Sequence, residues 1–183
     1  MSVIFLGYDP GGHKRHGVAY IDDNNTSVCA TVESAEASVL WFMERCRGFE
    51  HVVMGVGTLT LWSTCAESWR PADRQLRESY PQLAQLVQSP NNLRGAMIIN
   101  GALVMRILSE NVTSLRITET YPRLLYNVLS GQIYHYQGNT AIEMSDRLQE
   151  WIGVNGIELH SKVGILGSSE NSDVYHANIS ALA

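Results

Sequence analysis

Acidic residues stand at the ends of two predicted strands that are far apart in the chain. Asp9 follows an apolar strand and opens the turn Pro10-Gly11-Gly12, and Glu119 closes a later strand just before Tyr121-Pro122. Because the carboxyl ends of parallel strands lie at one edge of a sheet, the two carboxylates can meet there. Mg²⁺ and Mn²⁺ prefer oxygen ligands, so the pair predicts a metal site. Taken separately, Asp9 can instead cap its own turn, and Glu119 can cap the start of the next helix.

Asp173 and His176 form a second candidate group, three residues apart near the C-terminal end of the chain. Residues 168–183 begin with a capping segment and predict a helix, on which both side chains share one face. Such a pair can complete a metal site or hold a catalytic water, or it can form only a local hydrogen bond. The candidate catalytic residues are therefore Asp9, Glu119, Asp173 and His176, and the first three are the candidate metal ligands.

Arg70, Arg74 and Arg77 recur at intervals of four and three residues and predict a basic stripe on one helix. This stripe could bind the phosphates of a nucleic acid substrate. It could equally be a solvated helix face whose arginines pair with Asp73 and Glu78.

The cysteines and two neighbouring histidines give no clear metal pattern. Cys29, Cys46 and Cys65 have no Cys-x-x-Cys spacing and are odd in number, which favours free thiols in a reducing compartment. His13 and His16 have no third ligand in view and are interpreted as turn residues rather than as a zinc site.

The elements that must position these residues begin with three short stretches of strand-forming residues. Apolar and β-branched residues fill 2–8, 17–21 and 26–32, and the breaks between them are rich in turn-forming residues. They predict three antiparallel strands joined by turns. Residues 36–47 repeat apolar positions at helical intervals, and the continuous apolar run at 51–56 predicts a strand covered on both faces. A strand that follows a helix in this way indicates a parallel crossover.

The second half of the chain is predicted to be mainly helical with one further strand. Residues 58–113 form a long helical insertion, in which 95–108 is the longest apolar helix, and 114–120 predict the next strand. Further helices are predicted at 123–129, 140–152 and 168–183. This order predicts an α/β fold with an RNase H-like mixed five-stranded sheet, three antiparallel strands followed by two parallel ones, and helices on both faces.

Length and composition limit the function classes. The 183 residues fit a single domain, 1–183, with an apolar fraction of 45% that is typical of a globular core. No apolar run approaches the ~20 residues that cross a bilayer, and no cleavage site follows the N-terminus, so a cytoplasmic protein without membrane contact is expected. The formal net charge of −5 provides no broad basic surface, so nucleic acid binding would depend on a local patch or on bound metal.

Two sets of motifs resemble known nucleases. Residues 7–12 followed by 17–20 resemble the opening of RNase H-like nucleases and Holliday-junction resolvases, in which the aspartate is the first metal ligand. Residues 70–77, 119–122 and 173–177 are similar to motifs of domain-of-unknown-function family 429, described as predicted RNase H-like nucleases. This resemblance spans nearly the whole chain through short motifs in the same order. It implies a metal-dependent hydrolysis of phosphodiester bonds with Mg²⁺ or Mn²⁺ as cofactor.

Two departures from the family pattern bear on that activity. Gly57 stands where the family usually has an aspartate at a strand end, and His176 stands where it usually has a second aspartate in the last helix. Two-metal catalysis needs negative charge to hold cations ~3.5–4 Å apart, so the loss at Gly57 leaves one metal or none as the expectation. Histidine can act as a base or ligand, and some resolvases of this fold use one in that helix.

Three functions follow from these patterns. The first is a metal-dependent nuclease, and the second is a catalytically inactive RNase H-like module that binds a protein or forms a homo-oligomer. The third, an ATPase of the actin-like or sugar-kinase type, needs two such domains around its nucleotide, which 183 residues do not supply.

Overall fold

The computed structural model describes residues 2–12, 14–58, 61, 63–64, 69–89, 95–131, 150, 153–154, 158–159, 177 and 180–181. Its first three strands form an antiparallel meander, β1 (Val3–Asp9), β2 (His16–Asp22) and β3 (Thr26–Val32). The Asp22 carboxylate closes the second turn by accepting the backbone N–H groups of Asn24 and Thr26. Asn25 takes the left-handed conformation (φ 60°) that this residue type tolerates. The local turn chemistry therefore produces the predicted hairpin.

A parallel half follows the meander. Helix α1 (Ala35–Arg45) begins at Ser34, whose hydroxyl accepts the N–H of Ala37, and leads into β4 (His51–Val56), which pairs parallel to β1. The crossover from β4 contains α2 (Pro71–Ser79), a 3₁₀ helix (Pro81–Leu86) and α3 (Gly95–Asn111). Strand β5 (Leu115–Glu119) then pairs parallel to β4, α4 (Pro122–Ser130) follows it, and the short strand β6 (Glu158–Leu159) pairs parallel to β3.

The strand order is β5-β4-β1-β2-β3-β6. The predicted α/β fold with a mixed five-stranded sheet is thus confirmed, and the two-residue strand β6 adds an edge that the sequence did not predict. The helices predicted at 140–152 and 168–183 lie almost entirely outside the described residues. None of the helices in the described part of the chain is long and apolar enough to cross a membrane.

One face of the sheet packs against α1 and α3. Its core contains side chains of β1, β2 and β4 together with Phe42, Val104 and Leu108, all fully buried. Because side chains alternate along a strand, Ile4, Leu6 and Tyr8 of β1 point to this face.

The other face packs closely against helical residues near the C-terminal end. A Cβ added at Gly7 would lie 1.7 Å from the carbonyl oxygen of Ala177, and one at Gly55 would lie 1.8 Å from that of Ser180. The Thr120 and Ser180 hydroxyls are hydrogen-bonded at 2.8 Å. Helical backbone therefore lies directly on β1 and β4 where these strands carry glycine, which confirms helices on both faces.

Candidate functional site

Asp9 is the last residue of β1, a central strand of the sheet, and its side chain is only 7% exposed. Alternation along β1 directs it to the face of Gly7, where the helical residue Ala177 packs. Directly after the neighbouring strand β4, a Cβ added at Gly57 would lie 3.0 Å from Oδ1 of Asp9. The Asp9 carboxylate therefore occupies the space in front of Gly57, and a side chain at position 57 would press on it.

The turn that follows Asp9 is held by side chains from two other elements. The buried imidazole of His16, at the start of β2, accepts hydrogen bonds at Nδ1 from the Gly11 backbone N–H (3.2 Å) and from the Tyr8 hydroxyl (2.8 Å). Burial lowers the pKa of His16 and raises that of Tyr8, so both side chains are neutral at pH 7. From α3, the Asn100 amide donates to the carbonyl oxygens of Gly11 and Gly12.

Glu119 ends β5, and β4 lies between β5 and β1. The parallel register aligns Tyr8, Val56 and Glu119 in one row across the three strands, and Asp9 falls in the next row. With strands ~4.8 Å apart and residues ~3.3 Å apart along a strand, the Cα atoms of Asp9 and Glu119 are separated by ~10 Å. Alternation turns the two side chains to opposite faces. Both acids therefore lie at the predicted edge, but the pairing does not aim their carboxylates at each other.

The Glu119 carboxylate is bound by Arg70, which immediately precedes α2. Nη1 of Arg70 lies 3.0 Å from Oε1 and 2.7 Å from Oε2 of Glu119. The other edge of the guanidinium donates from Nε and Nη2 to the two carboxylate oxygens of Asp73, each at 2.8 Å. The hydroxyl of Tyr121 donates to the same carboxylate at 3.0 Å. We refer to Arg70, Asp73, Glu119 and Tyr121 as the arginine network.

Asp73 carries the negative charge that stabilises this network. Its side chain is 1% exposed. Burial alone would raise the pKa of the Asp73 carboxyl, but the hydrogen bonds from Arg70 and Tyr121 outweigh that effect and lower it. The hydrogen bond to Asp73 in turn raises the pKa of Arg70. Asp73 is thus ionised and is the buried partner of Arg70, which also holds Glu119.

The predicted basic stripe is largely used inside the protein. Arg70 belongs to the arginine network, in line with the alternative that it pairs with an acidic neighbour. Arg77 donates to the carbonyl oxygens of Ala84 and Val87 and stacks on Trp69, 4.6 Å from the ring centroid. Arg74 is exposed, and its role in binding phosphate remains a prediction.

Asp173 and His176 lie outside the described residues, so their part in the site remains a prediction. Within the described ranges, no three side chains of His, Cys, Asp or Glu form a group that could hold a metal ion. The carboxylate oxygens of Asp9 at the end of β1 are nevertheless of the kind that a hard cation prefers.

Of the residues that shape this site, Asp73 is the one that the sequence indicates as a partner of the arginines, and the structure pairs it with Arg70. Asn100 and His16 give no sequence signal for their contacts with the Asp9 turn. Comparisons with protein-family models, with curated proteins and with solved structures found no match to this chain.

Proposed function

We propose that the chain is a metal-dependent nuclease of the RNase H-like type, which hydrolyses phosphodiester bonds with Mg²⁺ or Mn²⁺. The observation that carries this proposal is the Asp9 carboxylate, which is largely buried at the end of a central strand and lies directly beside Gly57. Its oxygens are of the kind that a hard divalent cation prefers as ligands. A strand end at the open edge of an α/β sheet is also where ligands commonly bind.

The carboxylates near the end of β1 favour one ion. Asp9 stands there, while Gly57, directly after the neighbouring strand β4, has no side chain to offer. A second cation would need the further carboxylate that Gly57 does not provide. We therefore propose Asp9 as the primary ligand and Asp173 as a further one. Glu119, whose side chain the strand pairing turns to the opposite face, would complete the set only after leaving Arg70.

In this proposal each residue has a defined task. A bound ion would polarise the scissile phosphate and lower the pKa of an attacking water. Asp9 holds the ion at the sheet edge, and His176 accepts or returns a proton. Arg74 contacts the phosphate backbone, because it is the one member of the predicted stripe with an exposed side chain. Nucleic acid as substrate and the cytoplasm as location belong to the same proposal.

The second candidate function is a catalytically inactive module that binds a protein or a second copy of the chain. The ion pair between Arg70 and Glu119 supports it, because this contact holds a predicted metal ligand within the protein. The glycine at position 57 supports it as well, since it replaces a carboxylate of the resembled family.

Asp9→Asn separates the two candidates, with the exposed turn residue Asp23 changed to Asn as a matched control. For the nuclease we expect cleavage of single- or double-stranded oligonucleotides with Mn²⁺ and no cleavage with EDTA. We also expect a loss of at least about 100-fold in Asp9→Asn and no change in Asp23→Asn. Cleavage that persists in EDTA or in Asp9→Asn would refute the assignment. A wild-type protein that neither binds Mn²⁺ nor cleaves would be the inactive module.

A further inference from the structure

Asn100 connects the helical insertion to the turn that follows Asp9. It lies on α3, and its Nδ2 donates to the carbonyl oxygen of Gly11 at 2.9 Å and to that of Gly12 at 2.8 Å. An amide nitrogen has two protons, so these two contacts use its full donor capacity. A single side chain from a distant part of the chain therefore fixes two successive peptide groups of this turn.

Neighbouring contacts show that this region of α3 is fitted closely to the turn. A Cβ added at Gly101 would lie 2.5 Å from Cγ2 of Thr58 and 3.2 Å from Cγ of Pro10, so only glycine allows the helix to come this near. On the other side, the Gly11 N–H is bound by His16. The N–H of Gly11 is thus bound by His16 at the start of β2, and its carbonyl oxygen is bound by Asn100 on α3.

We propose that Asn100 is a positioning residue, which fixes the turn at 10–12 and through it the carboxylate of Asp9. The turn needs this support because two of its three residues are glycines, which have the largest conformational freedom to lose. Proline at position 10 stiffens only the first residue. The assignment rests on the proposed function in so far as Asp9 is a metal ligand, and small displacements of a ligand weaken a site strongly.

Three variants of the full chain test the role of Asn100. Asn100→Ala removes both hydrogen bonds, and Asn100→Asp keeps the shape but places a carboxylate oxygen near two carbonyl oxygens. Asn111→Ala is the control, because Asn111 lies on the same helix and donates to the Ile107 carbonyl at 2.7 Å, within α3. The first readout is amide hydrogen exchange at Gly11, measured by NMR relative to amides of the β2–β3 hairpin. The second is the affinity for Mn²⁺, measured by calorimetry.

We expect exchange at Gly11 to become about tenfold faster in Asn100→Ala and faster still in Asn100→Asp, with hairpin amides unchanged. Affinity for Mn²⁺ should fall by about 10- to 100-fold in both variants and stay at the wild-type value in Asn111→Ala. A role in packing alone would reverse the order, because the isosteric aspartate would then be the milder change.

Each outcome decides one of the two proposals. Unchanged exchange at Gly11, or an aspartate variant milder than the alanine variant, overturns the positioning role whatever the metal does. Faster exchange with unchanged Mn²⁺ affinity overturns it too, because the turn would then not position Asp9. A wild-type protein without Mn²⁺ affinity overturns the proposed function, and the exchange data still decide whether Asn100 holds the turn.

Discussion

Replacing Gly57 by aspartate returns a carboxylate to the strand end where the resembled family has one, and its effect can be worked out from the structure. The new Cβ would lie 3.0 Å from Oδ1 of Asp9 and 3.4 Å from Cγ of Pro122, so the Asp9 side chain must shift by a few tenths of an ångström. Two carboxylates would then stand about 4 Å apart at an edge only partly open to water. At the dielectric typical of such sites, their repulsion destabilises the fold by about 2 to 4 kcal/mol without metal.

The assay compares Gly57→Asp with Gly57→Asn, which has nearly the same shape but no charge. At pH 7 in EDTA, the aspartate variant should melt about 4 to 16 °C below the asparagine variant, since each kcal/mol corresponds to about 2 to 4 °C at this chain length. With Mg²⁺ at about 100 times its dissociation constant, binding should return about 2.7 kcal/mol to the aspartate variant. The asparagine variant should gain less.

Two results would refute this reasoning. Equal melting temperatures of both variants in EDTA would mean that the Asp9 carboxylate does not face the Cβ position of residue 57. An equal response of both variants to Mg²⁺ would mean that no cation binds between the two positions.

Three further substitutions test other parts of the structure. Gly55→Ala would place a Cβ 1.8 Å from the Ser180 carbonyl oxygen, so the helical backbone must move away from the sheet. We expect the free energy of unfolding in urea to fall by about 3 kcal/mol. A loss below about 1 kcal/mol would contradict this packing. Asp73→Asn would leave Arg70 without its buried partner. The free energy of unfolding should then fall by about 3 kcal/mol in the same measurement. A near-neutral result would show that the network is dispensable. Burial lowers the pKa of His16 from 6.5, so its contribution to stability is complete above pH ~6.5 and is lost as the pH falls. Between pH 7.5 and 5.5, the melting temperature of His16→Gln should therefore decline less than that of the wild type. Parallel declines would contradict this.

The fold could be predicted because its signals are local. The turn is specified by Asp22, whose carboxylate accepts the backbone N–H groups of Asn24 and Thr26, and by Asn25, which tolerates a positive φ. Together they define the antiparallel hairpin. The helix at 36–47 and the apolar strand at 51–56 were found within one or two residues of α1 and β4. Strand β6 could not be predicted, because two residues have no periodicity and pair only through long-range contact.

The candidate site could be predicted only in part, because the face on which a side chain lies depends on register. The sequence places Asp9 and Glu119 at strand ends, and the structure confirms both positions. It does not indicate how β1, β4 and β5 align, and a shift of one residue turns a side chain to the other face. The offset between the two acids is therefore a product of tertiary pairing. The same holds for Asn100, whose partners are 88 and 89 residues away.

The geometry of the arginine network determines how Glu119 could join a metal at Asp9. Arg70 donates two hydrogen bonds to Asp73 with Nε and Nη2, and it contacts Glu119 with Nη1 alone. A cation that recruited Glu119 would thus break one ion pair and leave the bidentate pair with Asp73 intact. Since Asp73 already neutralises Arg70, moving the Glu119 carboxylate would leave no unpaired charge on the half-buried guanidinium. The network therefore holds Glu119 in place. Of the two carboxylates bound to Arg70, Glu119 is nevertheless the one that is released more easily.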